Sequence, residues 1–125
     1  MNYSFTKACL DFFAFGAFDA KAFAEKLNEL LMRNTDTVNQ MMLNLLDSHD
    51  THRFLTQLNG DEKRLESALA VLYMFIGVPC IYYGTEIGME GGYDPDCRRP
   101  MDWRKTQEFN QLTKLIKQLA SIKKN

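Results

Sequence analysis

Between residues 45 and 54 the sequence reads LLDSHDTHRF, which sets Asp47, His49, Asp50, His52 and Arg53 directly after an apolar pair. Three kinds of chemistry use such groups. Imidazoles and carboxylates can hold a metal ion; a carboxylate just past a buried strand can act on a substrate; or Asp47 or Ser48 can cap the next helical turn while Arg53 pairs with a nearby acid. The metal reading is the weakest, because His49 and His52 lie three apart rather than in an H-E-x-x-H arrangement, and the chain has 2 histidines in all. No metal or cofactor is expected. A second polar run, TEIGMEGGYDPDCRRPMDW (85–103), is too long and too rich in Gly, Pro and charge for a plain connector and reads as a binding loop. Within it, Asp-Pro can start a turn, and the charges around that turn can form a loop salt bridge.

The elements that must hold these groups follow from periodicity. Ala8, Cys9, Phe12 and Phe13 predict a short helix over 6–15 that Gly16 ends. Asp19 is placed to cap a second helix over 20–33, with Phe18 and Phe23 as a hydrophobic staple. VNQMML begins another helical turn and passes into a strand at 43–47, short and apolar like one buried on both faces. Leu65, Leu69, Leu72, Tyr73 and Ile76 predict a helix face stopping at Gly77, and CIYYG (80–84) is the second strand. Phe109, Leu112, Ile116, Leu119 and Ile122 predict a last amphipathic helix from Thr106, with Lys117, Lys123 and Lys124 near its C-terminal end. Helices alternating with buried strands indicate parallel α/β architecture in a single unit over 1–125. Ligands in such folds bind at the carboxyl ends of strands, so both polar runs are expected to open on one face. Two strands leave unpaired edges, which predicts self-association or a larger parent fold.

Composition limits the partners. The chain has 125 residues, 46% hydrophobic and 25% charged, with 15 basic against 16 acidic side chains, so no net field draws nucleic acid or an anionic membrane. No apolar run reaches membrane-span length. Cys9, Cys80 and Cys97 are odd in number and widely spaced, which fits a reducing, cytoplasmic setting better than a disulfide framework.

NLLDSHDTHRFL followed by GVPCIYYGTEIGMEGGYDPDCRRPMDW resembles the end of the catalytic barrel of the α-amylase family of glycoside hydrolases, most like its neopullulanase, cyclomaltodextrinase and maltogenic amylase group. MNYSF resembles the end of that barrel's sixth strand, so the resemblance runs over nearly the whole chain. It implies the C-terminal fragment of a TIM (β/α)8 barrel, from the end of strand 6 through helix 8, with two or three short parallel strands. It further implies that Asp50 is the third catalytic carboxylate, that His49 binds the same sugar, and that Asp94 and Arg98 bind a neighbouring glucose of an α-glucan. Glu86 falls in the motif after the eighth strand and reads as structural. Thr85 departs from the pattern, since the family commonly has an acid there. Tyr82, Tyr83 and Trp103 can stack on sugars, with packing roles ranked first. In the family the nucleophilic aspartate and acid glutamate lie on strands four and five, so the isolated chain is expected to be inactive. The alternative is a non-catalytic carbohydrate-binding or helical interaction module.

Overall fold

The computed structural model of the chain describes residues 1–107 and 110–124. Helix α1 (Tyr3–Cys9) starts earlier than periodicity alone predicts, because the Asn2 side chain accepts from the Phe5 N–H at 3.2 Å. It runs on into one π-helical turn, Leu10–Ala14, and the chain turns at Gly16 in the left-handed region. Helix α2 (Ala20–Met32) is capped by Asp19, whose carboxylate accepts from the Ala22 N–H at 2.8 Å. Helix α3 (Asp36–Met41) starts from a Thr35 cap and leads into strand β1 (Leu43–Leu45).

Strand β1 pairs in parallel with β2 (Val78–Cys80), Leu43 facing Val78 and Leu45 facing Cys80. On its other side Asn2 makes one parallel bridge to Asn44, its N–H donating to the Leu43 carbonyl at 2.8 Å. Two short strands and the stub of a third are therefore present, all parallel. Both strands are shorter than expected and the second is shifted. The ladder stops at Leu45, so Leu46 enters the core and Asp47 turns to cap a helix, while Ile81 to Gly84 run past the end of β2. The shift has a local cause at Gly77, whose φ is +125° and whose missing Cβ would lie 2.5 Å from the Asn44 amide nitrogen. That close approach lets the Val78 N–H reach the Met42 carbonyl at 2.8 Å and starts β2 two residues early.

Helix α4 (Phe54–Gln57) is a single turn, and α5 (Glu62–Met74) is capped by Asp61, which accepts from the Lys63 and Arg64 N–H groups. Helix α5 ends before Gly77 because Phe75 is already extended, and Ile76 is consequently exposed rather than on the buried face. Helix α6 (Gln111–Lys124) begins where Asn110 accepts from the Leu112 N–H at 2.9 Å; Thr106 belongs to a separate short turn, and Phe109 lies outside the described residues. Leu112, Ile116 and Leu119 face the core as expected, but Ile122 is 71% exposed. The Lys123 ammonium donates to the carbonyls of Tyr73 and Phe75 at 3.1 and 3.0 Å, so the basic end of α6 satisfies the open end of α5.

The core is one cluster in which Phe5, Phe23, Leu46, Phe54, Leu69 and Leu112 join the helices to the end of β1. Phe5 is fully buried and stacks on Phe75 with ring centroids 4.9 Å apart. The Thr6 hydroxyl donates to the Leu45 carbonyl at 2.7 Å, fixing α1 against the strand. What this packing leaves at the carboxyl side of both strands is polar. No described helix is long and apolar enough to cross a membrane.

Candidate active site

The segment leaving β1 is held by its own short side chains. The Asp50 N–H donates to the Ser48 hydroxyl at 3.1 Å, the Ser48 N–H donates to the Thr51 hydroxyl at 2.9 Å, and the Thr51 N–H returns to the Ser48 carbonyl. These turns leave the His49 and Asp50 side chains more than half exposed, with His49 Nε2 3.2 Å from Asp50 Oδ2. The loop after β2 comes back over them. Arg98 Nε donates to the His49 carbonyl at 3.0 Å and lies 2.9 Å from Asp94 Oδ1, while its Nη2 is 3.4 Å from Asp50 Oδ1. The four residues expected to face a ligand thus meet in one ionic cluster at the carboxyl side of the strands. Arg98 is its hub.

Beneath this cluster the structure is closed. Asp47 Oδ2 accepts from the Phe54 N–H at 2.8 Å and caps α4, as one of the alternatives for this segment anticipates. Arg53 differs from that same alternative, which pairs it with an acid. It is fully buried, with its guanidinium carbon 4.2 Å from the Tyr82 ring centroid and 4.7 Å from that of Tyr83, and its Nη1 donates to the Tyr83 carbonyl. No ion pair to Arg53 occurs among the described residues. Burial pushes the Asp47 carboxyl above the ordinary aspartate range, opposed by the Phe54 N–H, the Arg53 charge and the Thr85 hydroxyl.

The binding loop is pinned at several points. The Arg53 N–H donates to the Gly91 carbonyl at 2.9 Å, and the Gly91 N–H donates to the Thr56 hydroxyl at 2.7 Å. A Cβ at Gly91 would lie 2.7 Å from the Asp96 carbonyl oxygen, so only glycine fits there. Asp96 holds the next turn by a two-point bond to Arg99, at 2.7 and 3.0 Å, and by accepting from the Gly92 N–H at 2.8 Å. Those bonds, Arg99 first, hold the Asp96 carboxyl below the usual range.

Tyr82 and Tyr83 donate to the carbonyls of Cys97 and Arg99, at 3.3 and 2.6 Å, which gives both the packing role ranked first for them. Burial, then Tyr83, pushes the Tyr82 phenol up to about 12, so it stays a donor. Trp103 does not pack as expected: its ring is largely exposed. His52 meets the Tyr93 ring edge-on, with ring centroids 4.6 Å apart. The Glu86 carbonyl accepts from the Thr113 hydroxyl at 2.7 Å and docks the start of α6. Sequence reasoning missed Asp96, Arg99 and Gly91; the Asp-x-x-Arg spacing of the first two was the available signal.

Parallel strands flanked by helices, with acids, a histidine and an arginine gathered at their carboxyl ends, define the arrangement used by α/β barrel enzymes. Residues 1–124 match the family described as alpha amylase, catalytic domain, and the chain belongs to the α-amylase family. A cyclomaltodextrinase of Thermoanaerobacter pseudethanolicus is 47% identical over 124 residues, covering 99% of this chain and 22% of that protein. Neopullulanase 2 of Thermoactinomyces vulgaris is 42% identical over 123 residues, covering 98% of this chain and 21% of its own length. Among solved structures, a cyclic α-maltosyl-(1→6)-maltose hydrolase from Arthrobacter globiformis, in complex with that sugar, superposes with TM-score 0.92 at 38% identity over 98% of this chain and 28% of that one. The chain is thus a part of an α-amylase-type catalytic barrel and spans about one fifth of the curated relatives it matches.

Proposed function

We infer that this chain supplies the seventh and eighth strand ends, and one of three catalytic carboxylates, of a retaining glycoside hydrolase that cuts α-glucosidic bonds of maltodextrins, cyclodextrins or pullulan. The observation carrying this reading is the joining of Asp50, His49 and Asp94 through Arg98 at the carboxyl side of β1 and β2. Asp50 is the transition-state stabiliser. As positive charge develops on the sugar ring, hydroxyl contacts to a fixed carboxylate strengthen, and the His49 imidazole adds a further hydrogen bond to the same sugar. Arg98 and Asp94 contact the neighbouring glucose, and Arg98 also holds the His49 carbonyl in place. The nucleophilic aspartate and the acid glutamate come from strands four and five of the full-length protein. The 125-residue chain by itself therefore does not turn over substrate, and its open sheet edges favour self-association. Free, widely spaced thiols support a cytoplasmic location.

The test is release of reducing sugar from maltotriose, β-cyclodextrin and pullulan by the full-length protein and by the 125-residue chain. Hydrolysis by the first alone is expected. Hydrolysis by the purified chain would contradict the division of roles, and inactivity of both, with saturable sugar binding, would favour a carbohydrate-binding module. Light scattering of the chain at micromolar concentration should show species larger than a monomer; a single monomer peak would remove the self-association reading.

A further inference from the structure

The eight residues from Leu46 to Arg53 separate β1 from α4, and a single carboxylate near the start of that segment reaches across to its far end. Asp47 accepts from the Phe54 N–H at 2.8 Å, so the base of the loop carrying His49 and Asp50 is closed. The other carboxylate oxygen accepts from the Thr85 hydroxyl at 3.2 Å, which reaches across from the turn that follows β2. Asp47 is 4% exposed and Thr85 is equally buried, so the segments leaving the two strands meet at a buried point. The charge of Arg53 also reaches this point, and the Nε and Nη2 groups of its guanidinium are buried without an acceptor among the described residues. A permanent cation held in this way is strongly destabilising unless a negative charge lies close by. The Arg53 charge acts on Asp47 in favour of its ionised form, and Glu86, from the same turn as Thr85, acts against it.

The geometry admits one carboxylate at the point where Asp47 and Thr85 meet. An aspartate at 85 would carry its carboxyl carbon on the atom position next to Asp47, and two buried carboxylates in contact repel. We propose that Asp47 is a positioning residue for Asp50, and that this buried point takes its single negative charge from either side, so that positions 47 and 85 are coupled. This extends the glycosidase reading of Asp50.

The experiment is a double-mutant cycle in the full-length protein with Asp47→Asn, Thr85→Asp and the pair together. Asparagine at 47 keeps an acceptor for the Phe54 N–H and offers its amide to a carboxylate at 85. Each single change is expected to lower kcat about tenfold with KM little altered, the scale of lost support around a catalytic group. The pair should return kcat to within about threefold of the parent. Parental kcat in Asp47→Asn would overturn the positioning role, and losses that multiply in the pair would overturn the coupling. Thermal midpoints of the same four proteins keep the proposal separate from the glycosidase reading. Should the parent cleave no α-glucan, a midpoint of the pair above both singles supports the shared charge, and one below both refutes it.

Discussion

Replacing Arg98 by alanine removes the hub of the cluster, and its cost can be worked from the contacts. Arg98 gives one charge-assisted hydrogen bond to the His49 carbonyl at 3.0 Å and two ion pairs, to Asp94 at 2.9 Å and Asp50 at 3.4 Å. The side chains involved are about half exposed, so each ion pair is screened and contributes about 0.2–1 kcal/mol. The hydrogen bond to the His49 carbonyl adds about 1 kcal/mol after the same discount. The sum, about 1.4–3 kcal/mol, corresponds to a loss of about 10–160-fold in kcat/KM on maltotriose. Lysine at 98 restores the charge but cannot address the His49 carbonyl and two carboxylates together, because a point charge replaces a planar fork. Steady-state kinetics of the full-length protein with arginine, lysine and alanine at 98 measures both effects. A change under about twofold in the alanine variant, or full recovery with lysine, would refute Arg98 as the hub.

Other expectations are as direct. Because its bonds to Arg99 lower the folded pKa of Asp96, the contribution of that carboxylate to stability is fully present above the ordinary aspartate value of about 4 and is lost as pH falls through the folded value. Unfolding midpoints of parent and Asp96→Asn should therefore converge as pH falls below about 4; parallel curves would contradict the ion-pair argument. Gly77→Ala forces a Cβ against the Asn44 amide at positive φ and should cost more than about 2 kcal/mol in urea unfolding. Gly16→Ala, with open space around it, should cost only about 1 kcal/mol, and equal costs would refute the steric explanation of β2's early start. Titrating maltotriose into the full-length protein should change the fluorescence of the exposed Trp103 saturably, whereas a flat response would remove it from the sugar-binding surface.

Helix identity was legible where periodicity and caps agree. Asp19, with Phe18 and Phe23, locates α2, and Asp61 with Leu65, Leu69 and Leu72 locates α5. The strands were less so, because a ladder depends on partners that no local pattern records. CIYYG has strand composition, yet Ile81 to Gly84 find no ladder neighbour among the described residues, and Gly77 sets the register from the preceding turn. Asn2 capping α1 from inside a bridge to β1 was hidden for the same reason. At the site, strand-end placement pointed to His49 and Asp50, the family resemblance added Asp94 and Arg98, and the structure brings the four together. Arg53 was misjudged because charge in a sequence suggests an ion pair, whereas this side chain is buried by two tyrosines that lie 29 and 30 positions further along the chain.

The central claim is that Asp50 acts on the transition state rather than on substrate affinity. Kinetics of Asp50→Asn in the full-length protein on β-cyclodextrin test it. A fall in kcat of about 10²–10³-fold is expected, with KM within about threefold of the parent. A variant that keeps its kcat while KM rises would contradict it.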